Sequence, residues 1–362
     1  MQSVLTDLPD HIKAKVVVSD DYLSSISELS LSSDNVLLIT SKGFTTRGYV
    51  SEITGHITCN EIHVVDDVTP NPELAYIDSL YKQFAKLNIS HIIAFGGGSV
   101  MDTGKILCAM LENKRSSVHQ LLDEPIDSLQ NITLTTIPTT SGTGAEITPF
   151  ATVWDSINGK KYSVVNVQAK HIILHPQLTV ALPHFDTMVT ALDALSHAIE
   201  SLWNVKRSAR SASYAQRAIT LISDHLLLAL DEPSNLNARS ALQNAAFLAG
   251  LAISETKTAL AHALSYPITL SFNVPHGLAC SFTLAPLIKR VGAEKLSLSQ
   301  TQVDTLLTLL TSLQLNEKIA KYAQVSELLN AVDRDLDPSR AGNFIALVTP
   351  DLVKSVIVES ME

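Results

Sequence analysis

The 362 residues leave room for two domains with sizeable cores. They are 46% hydrophobic and 17% charged, with 14 Gly and 14 Pro, which excludes a disordered or collagen-like chain. A net charge of −10 argues against a nucleic-acid partner, which needs a basic surface, while leaving room for a small anion in a local basic pocket.

The first residues, MQSVLTDLPDHIKAK, carry Asp7 and Asp10 where a secretory leader would be apolar. No apolar run reaches the roughly 18 residues of a spanning helix, so the expectation is a cytoplasmic chain with no membrane partner. Apolar strands follow at 36–40 (VLLIT), 62–65 (IHVV), 91–95 (HIIAF), 132–137 (ITLTTI) and 172–174. Helical patterns at 73–87 and 100–111 lie between them, which argues for βαβ units and a parallel sheet covered on both faces. Residues 148–165 interrupt this alternation with two β-like pieces around Asn158-Gly159, a hairpin signal. From about Asp186 helical periodicity takes over, at 187–202, 211–230, 238–254, 259–271, 303–313 and 325–331. The expected architecture is an α/β Rossmann-like domain over 1–182 and an all-α domain over 183–362. Cys59, Cys108 and Cys280 are isolated and odd in number, hence reduced thiols.

Three segments carry chemistry. The strand HIIAF runs directly into Gly96-Gly97-Gly98-Ser99 and then a helix. Glycines at such a turn admit a phosphate to backbone N–H groups, and the helix N-terminus adds partial positive charge. The alternative is a tight turn with no ligand. After the next apolar strand comes Pro138-Thr139-Thr140-Ser141-Gly142-Thr143-Gly144-Ala145-Glu146, dense in hydroxyls able to bind a ribose, a carboxamide or a phosphate. Two such loops on one sheet fit a dinucleotide better than either fits alone. Ser41-Lys42, after the first strand, offers no carboxylate to repel a 2′-phosphate, which favours NADPH over NADH.

The third segment is Asp193-Ala194-Leu195-Ser196-His197 in a strongly helical stretch. Four residues apart on a helix means one face, so both side chains can reach one ion, or simply each other. His262 and His276 follow, and the four together make a donor set suited to a divalent first-row metal.

In order, G-G-G-S-x-x-D-x-x-K (96–105), P-T-T-S-G-T-G-A-E (138–146), D-A-L-S-H-A-I-E (193–200), His262 and P-H-G at His276 resemble the iron-containing (group III) alcohol dehydrogenase family over nearly the whole chain. The resemblance implies the dehydroquinate synthase-like two-domain fold with a site in the cleft between the domains. Asp193, His197, His262 and His276 match the family's metal positions, with Fe(2+) expected and Zn(2+) also suited to the donors. Gly96, Gly97, Gly98, Ser99 and Asp102 match its cofactor positions, as do Thr139, Thr140, Ser141 and Thr143, while Ser41 is a cofactor candidate from its place after the first strand. Lys161 resembles a lysine found near the cofactor. The implied activity is NAD(P)H-linked reduction of a small aldehyde to a primary alcohol, or the reverse, by a homodimer. Tyr266 stands where many members carry a second histidine, Ala191 where a glycine is common, and His175 where an Asp usually precedes the proline.

ATVWD (151–155), KYS (161–163), HAIESLW (197–203) and AHALSYP (261–267) are similar to the phosphonoacetaldehyde reductase or hydroxyethylphosphonate dehydrogenase branch. A substrate with a dianionic head calls for cations near the metal, and Lys257 and Arg340 are the candidates. After hydride transfer a proton must come from Tyr266, a bound water or the ribose hydroxyls. A generic short-chain alcohol dehydrogenase is the alternative. More distant ones are a dehydroquinate synthase-type lyase, which returns its cofactor unchanged, and a silent relative with weak metal retention.

Overall fold

The computed structural model describes Leu8, Ile12 and residues 14–32 and 34–362, so the acidic start with Asp7 and Asp10 lies outside the described residues. The chain divides into two compact units. One runs to Thr140 and resumes over Ala145–Thr179; the other comprises Ser141–Gly144 and Val180–Glu362.

The first unit is α/β. Its strands are β1 (Lys15–Val18), β2 (Asn35–Ile39), β3 (Glu61–Val65), β4 (His91–Gly96), β5 (Thr133–Pro138), β6 (Phe150–Asp155), β7 (Lys160–Val165) and β8 (His171–Leu174). Among the described residues, six form a parallel sheet in the order β1-β8-β5-β4-β2-β3, and β6 pairs antiparallel with β7. In register, Val36 lies beside His91 and His91 beside Thr133, so the ends of β2, β4 and β5 align along one edge. Residues Val36 to Ile39 are fully buried, as a strand covered on both faces requires. Val36 and Leu38 join Ile53, Ile93, Phe95 and Ile137 in one core layer. A second layer gathers Ile77, Ile106, Met110 and Leu121 with Val153 and Val164 of the hairpin.

Two charged residues of the helix Gly98–Asn113 fasten that hairpin. The Lys105 ammonium, fully buried, donates to the carbonyls of Thr148 and Phe150, both at 2.8 Å, and to the Thr148 hydroxyl at 3.2 Å. That uses all three of its donors, as a buried charge demands. Burial pulls this ammonium down to about 8 against the opposing charges of Asp102 and Glu146. Asp102, one turn earlier, accepts the Thr152 N–H at 3.0 Å.

The second unit is helical. Its helices are His184–Leu202, Ala209–Asp231, Leu236–Thr256, Leu260–Phe272, His276–Ser281, Leu284–Leu296, Gln300–Ser312, Leu315–Ile319, Val325–Asp335, Pro338–Ala341 and Pro350–Met361. Several starts are written locally: Ser208 and Ser299 cap through reciprocal boxes, and Pro338 and Pro350 occupy first turns. Alanines at 245, 246, 249 and 252 are buried in Leu236–Thr256, a surface that admits close backbone approach. Gly144 uses it: at φ +63°, a Cβ there would stand 2.6 Å from Gly250 Cα. No helix among the described residues is long and apolar enough to cross a membrane.

Candidate metal centre and cofactor loops

Asp193 and His197 sit one turn apart on His184–Leu202, both buried. His262 is the third residue of Leu260–Phe272, and His276 opens His276–Ser281 directly after Pro275. These elements bring four side chains to one point. Asp193 Oδ1 lies 3.4 Å from His262 Nε2, 3.5 Å from His197 Nε2 and 3.9 Å from His276 Nε2. The His197 and His262 rings stack at 4.7 Å, and His276 stands at 72° to His262. Gly277 makes this approach possible, because a Cβ there would fall 1.8 Å from the Val189 carbonyl oxygen of the facing helix.

All three separations exceed good hydrogen-bond length. Donors bound at about 2.1 Å to one ion stand roughly 3 to 3.5 Å apart, the spacing that Asp193 Oδ1 keeps from His262 and His197. His262 Nε2 is buried with no hydrogen-bond partner. Burial by itself would raise the Asp193 carboxyl, but His197, then His262 and His276, hold it well below the usual carboxylate range. An anionic oxygen facing three imidazole nitrogens fits a divalent cation.

Two residues escaped the sequence reading. Cys280 Sγ lies 3.6 Å from Asp193 Oδ1 and 3.5 Å from the Gly277 carbonyl, and Asp193, His262, His276 and Cys280 offer ligand-type atoms within 4.8 Å of one another. Burial pushes the thiol far up, so Cys280 stands as a neutral donor to Asp193. The available signal was its place four residues after His276. Glu200, fully buried, grips His262 twice: Oε2 meets Nδ1 at 2.5 Å and Oε1 accepts the backbone N–H at 3.1 Å. Its signal was positional too, since residues 193, 197 and 200 share one helical face.

Tyr266 stacks on His276 at 5.9 Å and meets His262 edge-on at 6.4 Å. The Arg340 guanidinium lies 5.2 Å over the Tyr266 ring, donates to Thr258 Oγ1 at 2.5 Å and sits 3.6 Å from Asp337. Burial nevertheless pushes the Tyr266 hydroxyl up to about 12, with Arg340 only partly opposing it. Tyr266 is therefore a protonated phenol at neutral pH. Lys257 differs: its side chain is exposed, its backbone takes φ +62° after Thr256, and its carbonyl accepts Asn204 Nδ2 at 3.2 Å.

In the first unit, Gly96 ends β4, and Gly97 caps the 16-residue helix that Gly98 and Ser99 begin. Its first N–H groups stand at the carboxyl edge of the sheet, where an anion is favoured. Thr139 N–H closes onto the Gly96 carbonyl at 3.0 Å, and Thr140 flanks Gly97. Ser99 Oγ accepts the Asn71 N–H at 3.2 Å. Lys161 lies 4.8 Å over the Trp154 ring. Ser41 precedes the short helix Lys42–Thr46, where the Lys42 ammonium meets Asp66, at the end of β3, at 3.0 Å. In the second unit, Ser141 is buried and its hydroxyl has no hydrogen-bond partner, while Thr143 is half-buried beside it. A buried hydroxyl left over in this way fits a polar ligand.

Comparison with known proteins gives a consistent answer. The family model described as Iron-containing alcohol dehydrogenase matches residues 13–176, and that for the C-terminal part of the Fe-containing alcohol dehydrogenase family matches 187–337. Phosphonoacetaldehyde reductase of Streptomyces viridochromogenes is 30% identical over 70% of this chain and 66% of its own length. Sulfoacetaldehyde reductase of Bilophila wadsworthia is 34% identical over 53% of this chain and 50% of its own. The chain thus spans about two-thirds or less of these relatives. The crystal structure of an iron containing alcohol dehydrogenase superposes with a TM-score of 0.83 at 25% identity, covering 98% of each chain. Two family models covering both units, over a fold shared with solved members, establish the chain as a member of the iron-containing alcohol dehydrogenase family.

Proposed function

We propose that the chain reduces a small aldehyde bearing an anionic head to the primary alcohol, or runs the reverse, with phosphonoacetaldehyde and 2-hydroxyethylphosphonate as the best-matched pair. Asp193, His197, His262 and His276 would hold the divalent metal, iron(II) by family membership, though the donors also suit zinc. The glycine turn at Gly96–Ser99, Asp102, the loop residues Thr139, Thr140, Ser141 and Thr143, and Ser41 and Lys161 would bind NADPH in preference to NADH. When bound, the metal polarises a carbonyl and the nicotinamide supplies hydride.

The observation that carries the substrate class is the ladder from Arg340 through Tyr266 to His276. A guanidinium stands over a ring that itself stacks on a proposed metal ligand. Arg340 offers a planar fork suited to phosphonate or sulfonate oxygens. Tyr266 positions that fork and, as a protonated phenol, can donate to a developing alkoxide. Lys257, exposed in this fold, has the weaker case as an anchor. The relatives named for phosphonoacetaldehyde and sulfoacetaldehyde support an anionic substrate. A propanol-type alcohol is the second reading, favoured by a relative named 1-propanol dehydrogenase at 31% identity.

The test follows NADPH and NADH oxidation with phosphonoacetaldehyde, sulfoacetaldehyde and propanal, in the native chain and in Arg340→Met. A hydrogen bond to a charged group contributes about 1.5–3 kcal/mol, so KM for the anionic aldehydes should rise roughly ten- to hundredfold in the variant. Turnover of propanal should hold. Equal effects on all three aldehydes, or native preference for propanal, would refute the anionic assignment.

A further inference from the structure

Glu200 is a buried carboxylate that the proposed chemistry does not use. It lies one turn beyond His197 on the helix that carries Asp193, with none of its side chain exposed. Burying such a charge is costly unless it is hydrogen-bonded or paired. Among the described residues its ion-pair partner is the His262 imidazole, each of its oxygens meets that residue, and the Ala259 backbone N–H adds a further hydrogen bond. One oxygen fixes the backbone at the start of Leu260–Phe272, and the other fixes the ring. In a neutral imidazole, an Nδ1 that donates to a carboxylate leaves the proton off Nε2. That is the nitrogen facing Asp193 Oδ1 at 3.4 Å and lacking a hydrogen-bond partner.

We propose that Glu200 is a positioning residue, selecting the His262 tautomer and ring orientation that present an Nε2 lone pair to the metal. The proposal rests on the reading that Asp193, His197, His262 and His276 hold that metal. The competing role for Glu200 is plain charge compensation of an imidazolium caught between two carboxylates. That role serves the metal-free protein and predicts no loss of metal affinity when Glu200 is replaced.

The test compares the full chain with Glu200→Gln and Glu200→Leu after chelator stripping. Zinc affinity is measured by competition with a chromophoric chelator, and folding by the thermal midpoint of the stripped proteins. Nitrogen-15 NMR of the stripped proteins reads the His262 ring protonation. Removal of such a carboxylate typically weakens metal binding about ten- to hundredfold. Gln keeps an acceptor for Nδ1 and should fall near the lower bound; Leu keeps the bulk alone and should fall near the upper. The His262 ring should lose its fixed Nδ1 proton in the Leu variant. Native zinc affinity in both variants, or a loss that tracks only the unfolded fraction, overturns the positioning role. A native chain that binds no zinc overturns the metal reading itself, and is distinguished by failing before any substitution is made.

Discussion

Gly277→Ala is the smallest change expected to dismantle the metal centre. The new methyl would stand 1.8 Å from the Val189 carbonyl oxygen, 2.7 Å from its carbon and 3.3 Å from Asp193 Cβ. The first two contacts are with backbone, so no side-chain rotation relieves them. Restoring an ordinary contact requires the start of His276–Ser281 to retreat from His184–Leu202 by roughly 1.5 Å. His276 Nε2 is already the most distant of the three nitrogens, at 3.9 Å from Asp193 Oδ1. A retreat of that size carries it to about 5 Å, beyond what two bonds of about 2.1 Å to one ion can span. Overpacking of this kind costs about 1–3 kcal/mol, which lowers the melting midpoint by roughly 2–10 °C for a unit of this size. Metal per chain after dialysis against a weak chelator, measured beside the thermal midpoint, checks both effects. The variant should retain far less metal than the native chain while still melting cooperatively. Native metal content with an unchanged midpoint would show that the close approach at Gly277 has no part in holding the site together.

The buried cluster of the first unit should make stability depend on pH. Burial pushes Glu146 up to about 7 from an ordinary 4.5, partly countered by its own backbone and by Lys105. The folded chain therefore keeps a proton that the unfolded chain releases, so this contribution is complete below about pH 4.5 and is lost as pH rises through about 7. Asp102, raised by burial to about 6, acts in the same sense. Urea midpoints between pH 5 and 8 should decline less steeply in Glu146→Gln than in the native chain, and parallel slopes would count against the buried proton. At the end of β3, Asp66→Asn frees Lys42 and removes one negative charge from the neighbourhood of Ser41. An exposed charge pair contributes at most about 1 kcal/mol, so kcat/KM for NADPH relative to NADH should rise by up to roughly fivefold. An unchanged ratio would place the 2′-phosphate elsewhere.

The α/β unit was legible because its strands are short, β-branched apolar runs bounded by turn residues, and that length and composition separate them from the longer periodic helices. β1 escaped because Lys15–Val18 is a four-residue edge strand with an exposed-to-half-buried pattern and no alternation to detect. The helices Leu284–Leu296 and Pro350–Met361 were missed for different reasons. The first is broken at Gly292, with φ +80°, and the second follows a loop with no long apolar stripe. The four proposed ligands were visible as residue types, but their convergence was not: His262 and Asp193 are far apart along the chain, and only packing makes them neighbours. Arg340 was one candidate cation of two, and nothing in its local sequence distinguished it from Lys257. The fold does, by holding its guanidinium over Tyr266 while the lysine's side chain remains exposed. The hairpin contacts of Lys105 and Asp102, to Thr148 and Thr152, were not legible in the D-x-x-K spacing, because they depend on where residues some fifty positions later pack.

One helix, His184–Leu202, supplies Asp193, His197 and the carboxylate behind His262. Thermal drift of that rod carries all three together and preserves their mutual spacing. His276 belongs to a separate six-residue segment, and its side chain is 27% exposed, against 7% or less for the other three. Solvent thus reaches the cluster from the flank where His276 and Tyr266 lie face to face, the one edge that no long helix supplies.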